Sequence, residues 1–263
     1  MKVVHTDNTA NKIDVSIIIV NYNTKVVTQK CIESVIDKTK AVSYEIILVD
    51  NASDDGSVEA IKEKNYLFVK IIENKSNYGF GRANNIGVKV AKGKYILFLN
   101  SDTILLNDAV SLFFRVAEEK ENIILGCYLQ DLDGNFINSY SDFEDRKHIL
   151  ARSLYLYLPW LLMIRRRSTN NRIEPIEKNV DFITGADLFI RKEDFDRLHG
   201  FDAHFFMYCE DEDLCLRARK IGIQCRVITE PQIIHLEGKS SNISSVKRKI
   251  ILQSYKYYIG KNL

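Results

Sequence analysis

From residue 15 to residue 130 the chain alternates short β-branched apolar runs with stretches of helical spacing, and three of the runs are followed by a polar residue. The run VSIIIV at 15–20 leads to a segment from Lys25 to Lys38 with Val27, Cys31, Ile32, Val35 and Ile36 at helical intervals. Further runs lie at 45–49, 68–72, 95–99 and 123–129, separated by predicted helices at 57–64, 81–91 and 107–120. Continuous rather than alternating apolar strands imply burial on both faces. The expected fold class is therefore α/β, with a mostly parallel central sheet and helices on both faces. In such sheets ligands bind outside the carboxyl ends of the strands. Asn21, Asp50 and Asn100 each stand at such an end. The same residue types also cap helices and make turns, so position alone does not separate the two uses.

The second half is less regular. Residues 182–190 suggest two short strands broken at Gly185, 210–220 a helix, and 225–228 and 233–235 two further strands. Residues 246–258 suggest a basic, aromatic helix. Without an internal repeat or low-complexity linker, one domain is expected over 15–241. It follows a polar tail at 1–14 and precedes a C-terminal helix at 242–263. Residues 15–130 would form one half of the domain and 131–241 the other, with an insertion at 150–175.

Composition narrows the function classes. The chain of 263 residues is 46% hydrophobic and 27% charged, an ordinary globular balance. A net charge of +2 and a pI of about 8.1 give no reason to expect nucleic acid as a partner. Cys31, Cys127, Cys209, Cys215 and Cys225 show neither a disulfide framework nor metal-finger spacing, which suits a reducing cytoplasm. The polar opening lacks the apolar core of a secretory signal. The segment LYLYLPWLLMIRRR at 154–167 is too short to span a bilayer. It fits an interfacial anchor at the inner face of a cell membrane, with Arg165, Arg166 and Arg167 toward anionic lipid. It fits equally an insertion packed on the domain or a dimer contact.

Five motifs carry candidate chemistry. In VDNASDDGS (49–57), Asp50 can accept the N3–H of a uracil or thymine, although these letters also make turns. NYGFGRANNIG (77–87) offers glycines for close backbone approach and Arg82 as a planar donor fork, but it is not a dinucleotide fingerprint. FLNSDT (98–103) sets Asp102 just past a strand, where an oxygen ligand can hold Mg2+ or Mn2+ on a diphosphate. FFMYCEDEDLCLR (205–217) runs an aromatic wall into Glu210, Asp211, Glu212 and Asp213. Carboxylates suit a helix's first turn, and a partly desolvated one can act as a general base. HLEGKSS (235–241) contributes His235, whose interest depends on nearness to Asp102.

Taken in order, these strings and ITGADLFIRK (183–192) resemble the family 2 glycosyltransferases of the GT-A fold, over 15 to about 241. The flavour is that of bacterial rhamnosyltransferase-like members that build surface polysaccharides. The resemblance implies an inverting enzyme that moves a sugar from a nucleoside-diphosphate donor to a glycan or polyprenyl-linked acceptor. It implies a nucleotide side of Val20, Asn21, Tyr22, Asp50, Gly79, Arg82, Asn100, Ser101 and Asp102. It also implies a metal held by Asp102 and His235, Asp211 as catalytic base, and an acceptor side of Gly185, Ala186 and Glu210. Asn100 stands where the family often has the first carboxylate of Asp-x-Asp; an amide brings no charge, so metal affinity would be modest. The alternatives are a sugar nucleotidyltransferase, which would carry a glycine-rich loop after the first strand in place of NYNT (21–24), and a non-catalytic sugar-binding protein.

Overall fold

The computed structural model describes residues 12–143, 175–236 and 245–262. The segment 154–167 and most of the N-terminal tail lie outside them. Strands β1 (Val15–Asn21), β2 (Tyr44–Asp50), β3 (Val69–Glu73) and β4 (Tyr95–Asn100) are linked by helices α1 (Lys25–Lys38), α2 (Ser57–Lys64) and α3 (Phe80–Val88). The short β5 (Thr103–Leu105), α4 (Ala109–Glu119) and β6 (Ile123–Gln130) follow. Small strands β7 (Phe136–Asn138), β8 (Tyr140–Ser141), β9 (Lys178–Val180) and β10 (Phe182–Ile183) lead to β11 (Asp187–Arg191). The chain then forms α5 (Lys192–Arg197), α6 (Glu210–Lys220), β12 (Gln224–His235) and α7 (Ser245–Asn262).

The main sheet runs β3-β2-β1-β4-β11-β6-β12-β5. Along this path only β11 and β5 run against the rest, so the sheet is mostly parallel, as expected. Its first strand sits between β2 and β4, and the connections leave β1 on opposite sides there. That reversal opens a crevice at the carboxyl ends of β1 and β4.

Alternate residues of each strand serve different cores. Ile17, Ile19, Ile46, Leu48, Leu97 and Leu99 pack with α1, α2 and α4 through Ile32, Ile61 and Phe113. Ile18, Ile47, Val49, Ile96 and Phe98 pack on the other face with α3, α5 and α6 through Ala83, Phe195 and Leu214. With both faces covered, a period-2 apolar/polar pattern has no reason to exist, which explains the unbroken runs.

Two departures from the sequence reading shape the site. Residues 225–228 and 233–235 are not separate strands but one strand, β12, whose register with β6 shifts between Ile228 and Ile233. Pro231 falls inside the shift; it has no N–H to give to a ladder, so an offset there costs little. Beyond the offset β12 pairs with β5, setting His235 opposite Thr103. The terminal helix, Ser245–Asn262, lies inside the expected 242–263 but reaches beyond the basic, aromatic stretch at 246–258. Its added turn includes Lys261, which bonds Asp202 and Asp213 at 2.7 Å each.

Candidate active site

A cavity of about 920 Å³ occupies the crevice at the ends of β1 and β4. Asp102, just after β4, and His235, at the end of β12, both line it, with His235 Nε2 3.2 Å from Asp102 Oδ1. Two backbone ties bring them together, the pairing of His235 with Thr103 and the Leu236 amide donating to the Asp102 carbonyl at 2.9 Å, and the Thr103 hydroxyl braces the turn by donating to the Asn100 carbonyl at 2.8 Å. The Asn100 amide nitrogen lies 3.3 Å from His235 Nε2.

An imidazole and a carboxylate converging on one point can supply half of a divalent-cation site. Among the described residues no third His, Cys, Asp or Glu joins them. That set suits Mg2+ or Mn2+ on a diphosphate, because such ions take few protein ligands and fill the rest with phosphate oxygens and water.

Across the cavity, α6 begins with Glu210 and Asp211. Asp211 is fixed by two amides: Gly185 donates to Oδ2 at 3.0 Å and Glu212 donates to Oδ1 at 2.9 Å. Both bonds favour the charged form, yet burial outweighs them and raises the Asp211 carboxyl above the usual range. Glu210 is pushed well above its ordinary value, first by burial and then by the charge of Asp211. It is 4% exposed, and its Oε2 has no hydrogen-bond partner. Tyr208 and Cys209, which lead into the helix, both hold left-handed backbone, with φ of 72° and 67°. Two consecutive non-glycine residues in that region cost on the order of 1–2 kcal/mol each. Here they tip the start of α6 into the cavity.

Val20, Tyr22, Gly79, Asn100, Ser101, Asp102, Gly185, Ala186, Glu210, Asp211 and His235 line this single cavity. Three residues assigned to the nucleotide side do not. Asp50 is 2% exposed, and its carboxylate accepts from Asn21 Nδ2 (2.7 Å), Ser53 Oγ (2.6 Å) and the Ser53 amide (2.9 Å). Asn21 is wholly buried, and its Oδ1 accepts from the hydroxyls of Thr24 and Thr28 at 2.7 Å. Together they form a polar floor that holds Thr24, which does line the cavity. Arg82 is exposed, and its Nε donates outward to the Ala203 carbonyl.

The glycines also act differently from expectation. A Cβ at Gly79 would fall 2.0 Å from the Phe206 carbonyl oxygen, and one at Gly185 would fall 2.5 Å from the Phe80 ring. Close approach is needed here, but between protein segments. Sequence reasoning missed Thr24, Asn51, Asn77 and Phe80, and also Val246, Lys247 and Ile250, which α7 brings to the cavity. The position after Asp50 was the available hint for Asn51; nothing local marks α7.

Residues 16–198 match the profile described as glycosyl transferase family 2. The chain belongs to that family. Among relatives of this family 2 glycosyltransferase, rhamnosyltransferase WbbL of Escherichia coli is 30% identical over 71% of the chain and 72% of its own length. N-acetylglucosaminyl-diphospho-decaprenol L-rhamnosyltransferase of Mycobacterium tuberculosis is 26% identical over 74% and 67%. Poly(ribitol-phosphate) beta-glucosyltransferase of Bacillus spizizenii is 33% identical over 46% of the chain but only 20% of that longer protein. Among solved structures, GalNAc-T7 crystallised with UDP, GalNAc and Mn2+ superposes with a TM-score of 0.67 at 18% identity. The superposition covers 95% of this chain and 51% of that one. Staphylococcus aureus TarS gives 0.62 at 15%, covering 95% and 40%. At those identities the likeness speaks for the fold, which is GT-A.

Proposed function

We propose that this glycosyltransferase transfers a sugar, with inversion, from a nucleoside-diphosphate donor to a hydroxyl of a glycan or lipid-linked acceptor in bacterial surface polysaccharide synthesis. One observation carries the reading: Asp102, His235 and Asp211, from distant parts of the chain, line one cavity. The relatives named for rhamnosyl transfer make dTDP-rhamnose the first donor to test and UDP-sugars the next. The mycobacterial relative's name supports a polyprenyl-diphosphate-linked acceptor.

In this reading Asp211 takes the proton of the acceptor hydroxyl. The hydroxyl oxygen attacks the anomeric carbon from the face opposite the diphosphate. The bond from that carbon to the diphosphate oxygen breaks, and the nucleoside diphosphate leaves with the bonding pair. The Gly185 and Glu212 amides aim the Asp211 carboxylate, while burial raises its proton affinity, which favours a base. Asp102 and His235 would hold Mg2+ or Mn2+, which supplies positive charge to the leaving diphosphate when bound. Tyr22, Thr24, Asn51 and Asn77 would face the nucleoside end, with Asn21 and Asp50 supporting them from behind.

No helix among the described residues is long and apolar enough to cross a membrane. An anchoring role for 154–167 at the inner membrane face is part of the proposal and is checked by liposome co-sedimentation. Binding that is unchanged when Arg165, Arg166 and Arg167 are all replaced by Glu removes it.

The deciding experiment incubates the full chain with dTDP-rhamnose and a panel of UDP-sugars, with and without Mn2+, and follows nucleoside-diphosphate release and product anomeric configuration by NMR. Metal-stimulated release with an inverted product is expected. Retention of configuration, or no turnover of any nucleotide sugar with an acceptor present, overturns the reading.

A further inference from the structure

The donor proposed above carries negative charge into a cavity that already holds Asp102 and Asp211. Carboxylates and a diphosphate repel strongly in a partly desolvated space unless cations intervene. The sequence offered Arg82 as the cation, but that guanidinium bonds the Ala203 carbonyl and does not line the cavity. Among the described residues lining it, Lys247 is the one lysine or arginine. Its Nζ lies 6.0 Å from the centre of the Tyr208 ring, beside the strained turn that starts α6.

Lys247 belongs to α7, which is fastened to the catalytic half of the molecule rather than laid on it. The Ser254 hydroxyl donates to the Met207 carbonyl at 2.7 Å, and the Tyr257 hydroxyl donates to Asp202 at 3.1 Å. Lys261 pairs with Asp202 and with Asp213, two residues beyond Asp211 on α6. The Asn262 amide also donates to Asp213, at 3.2 Å. Asp213 is wholly buried and further bonded by Arg217 at 2.8 Å, so the clamp is tied to the same helix that presents Asp211. A helix so held carries Val246, Lys247 and Ile250 to the cavity as fixed parts of its wall.

We infer that Lys247, delivered by the clamped C-terminal helix, is the cationic contact for the donor's diphosphate and takes the place in the cavity that Arg82 does not fill. The inference rests on the donor class proposed above. Its test is isothermal titration of the full chain with UDP, dTDP, uridine and thymidine at fixed Mn2+ and varied salt. The wild type is compared with Lys247→Ala, Lys247→Arg and Lys261→Met. Lys247→Ala is expected to weaken the better-bound diphosphate by roughly tenfold or more. It should also flatten the salt dependence of that affinity and leave the nucleosides unchanged. Lys247→Arg should restore most of the loss, and Lys261→Met should give a smaller loss of the same selectivity.

Diphosphate affinity within twofold of wild type in Lys247→Ala overturns the inference. So does an equal loss for nucleosides, or a loss that arginine does not restore. Unchanged diphosphate binding with lost transfer to a polyprenyl-diphosphate acceptor in vesicles also overturns it, by moving the charge to the acceptor. A wild type that binds neither diphosphate removes the donor class itself, an outcome distinct from all of these.

Discussion

Asp50 and Glu210 are both carboxylates at the ends of secondary structure, both nearly inaccessible, and in opposite hydrogen-bonding states. Asp50, at the end of β2, accepts three hydrogen bonds, and its neighbours are arranged to supply them. Glu210, at the start of α6, leaves Oε2 without a partner, and Asp187 at the start of β11 leaves Oδ1 the same way. Among the described residues, these two are the buried carboxylates with an unpartnered oxygen, and both belong to the second half. Leaving such a group unsatisfied is costly, and it persists where surrounding structure forces it. At Asn21 and Asp50 the first half thus uses buried polar side chains as architecture. The second half holds carboxyls in conditions that shift their proton affinity.

The widest expected gap between the halves is catalytic. Asp211→Asn should lower turnover by about 10²–10⁴-fold, the usual worth of general-base help, while nucleoside-diphosphate affinity and melting temperature stay near wild type. Near-normal turnover would break the contrast at its main point.

Asp50→Ala should act through the fold instead. It strips partners from the Ser53 amide and from Asn21, at a cost of about 2–3 kcal/mol, or a melting point lower by roughly 4–10 °C. A variant that melts normally but loses nucleotide affinity selectively would restore Asp50 to direct base contact.

Asp187 sharpens the comparison through pH. Burial lifts its carboxyl from 3.8 to about 6, against hydrogen bonds from the Cys127 amide and the Ser139 hydroxyl. Because the folded-state value lies above the unfolded one, its stabilising contribution is complete below about pH 4 and is lost as pH rises through about 6. Asp187→Asn does not ionise. Relative to wild type it should therefore gain stability across that window, by on the order of 2–3 kcal/mol at most. Melting curves from pH 4 to 8 measure it; a difference independent of pH would deny the raised value.

The smallest effect is expected at Arg82. Its bond to Ala203 is at the surface, so Arg82→Ala should cost about 1 kcal/mol or less and leave the donor KM unchanged. A large rise in donor KM would place it on the nucleotide after all.

Much of the site was legible because strand ends are. A run such as VSIIIV or YILFL followed by a polar residue announces a parallel sheet and marks its rim; Asn100 lines the cavity there, while Asn21 supports it from beneath. The acidic start of α6 was readable for a related reason, since a helix's first turn favours carboxylates. The glycines of NYGFGRANNIG were harder. A glycine permits close approach but does not say of what, and at Gly79 the neighbour is the Phe206 carbonyl.

By itself the sequence determined the α/β alternation, the two-faced sheet and the order in which its polar rim residues arrive, because these follow from local periodicity and burial. The tertiary structure alone decided which rim residues face the cavity. Asp50 and Asn51 are adjacent, yet one is absorbed into the floor and the other lines the space. It also decided that β12 shifts register between Ile228 and Ile233 and that its end brings His235 to Asp102, and that α7 folds back to bring Lys247 in. Such contacts join residues far apart in the chain, and no local pattern encodes the direction from which a distant segment returns.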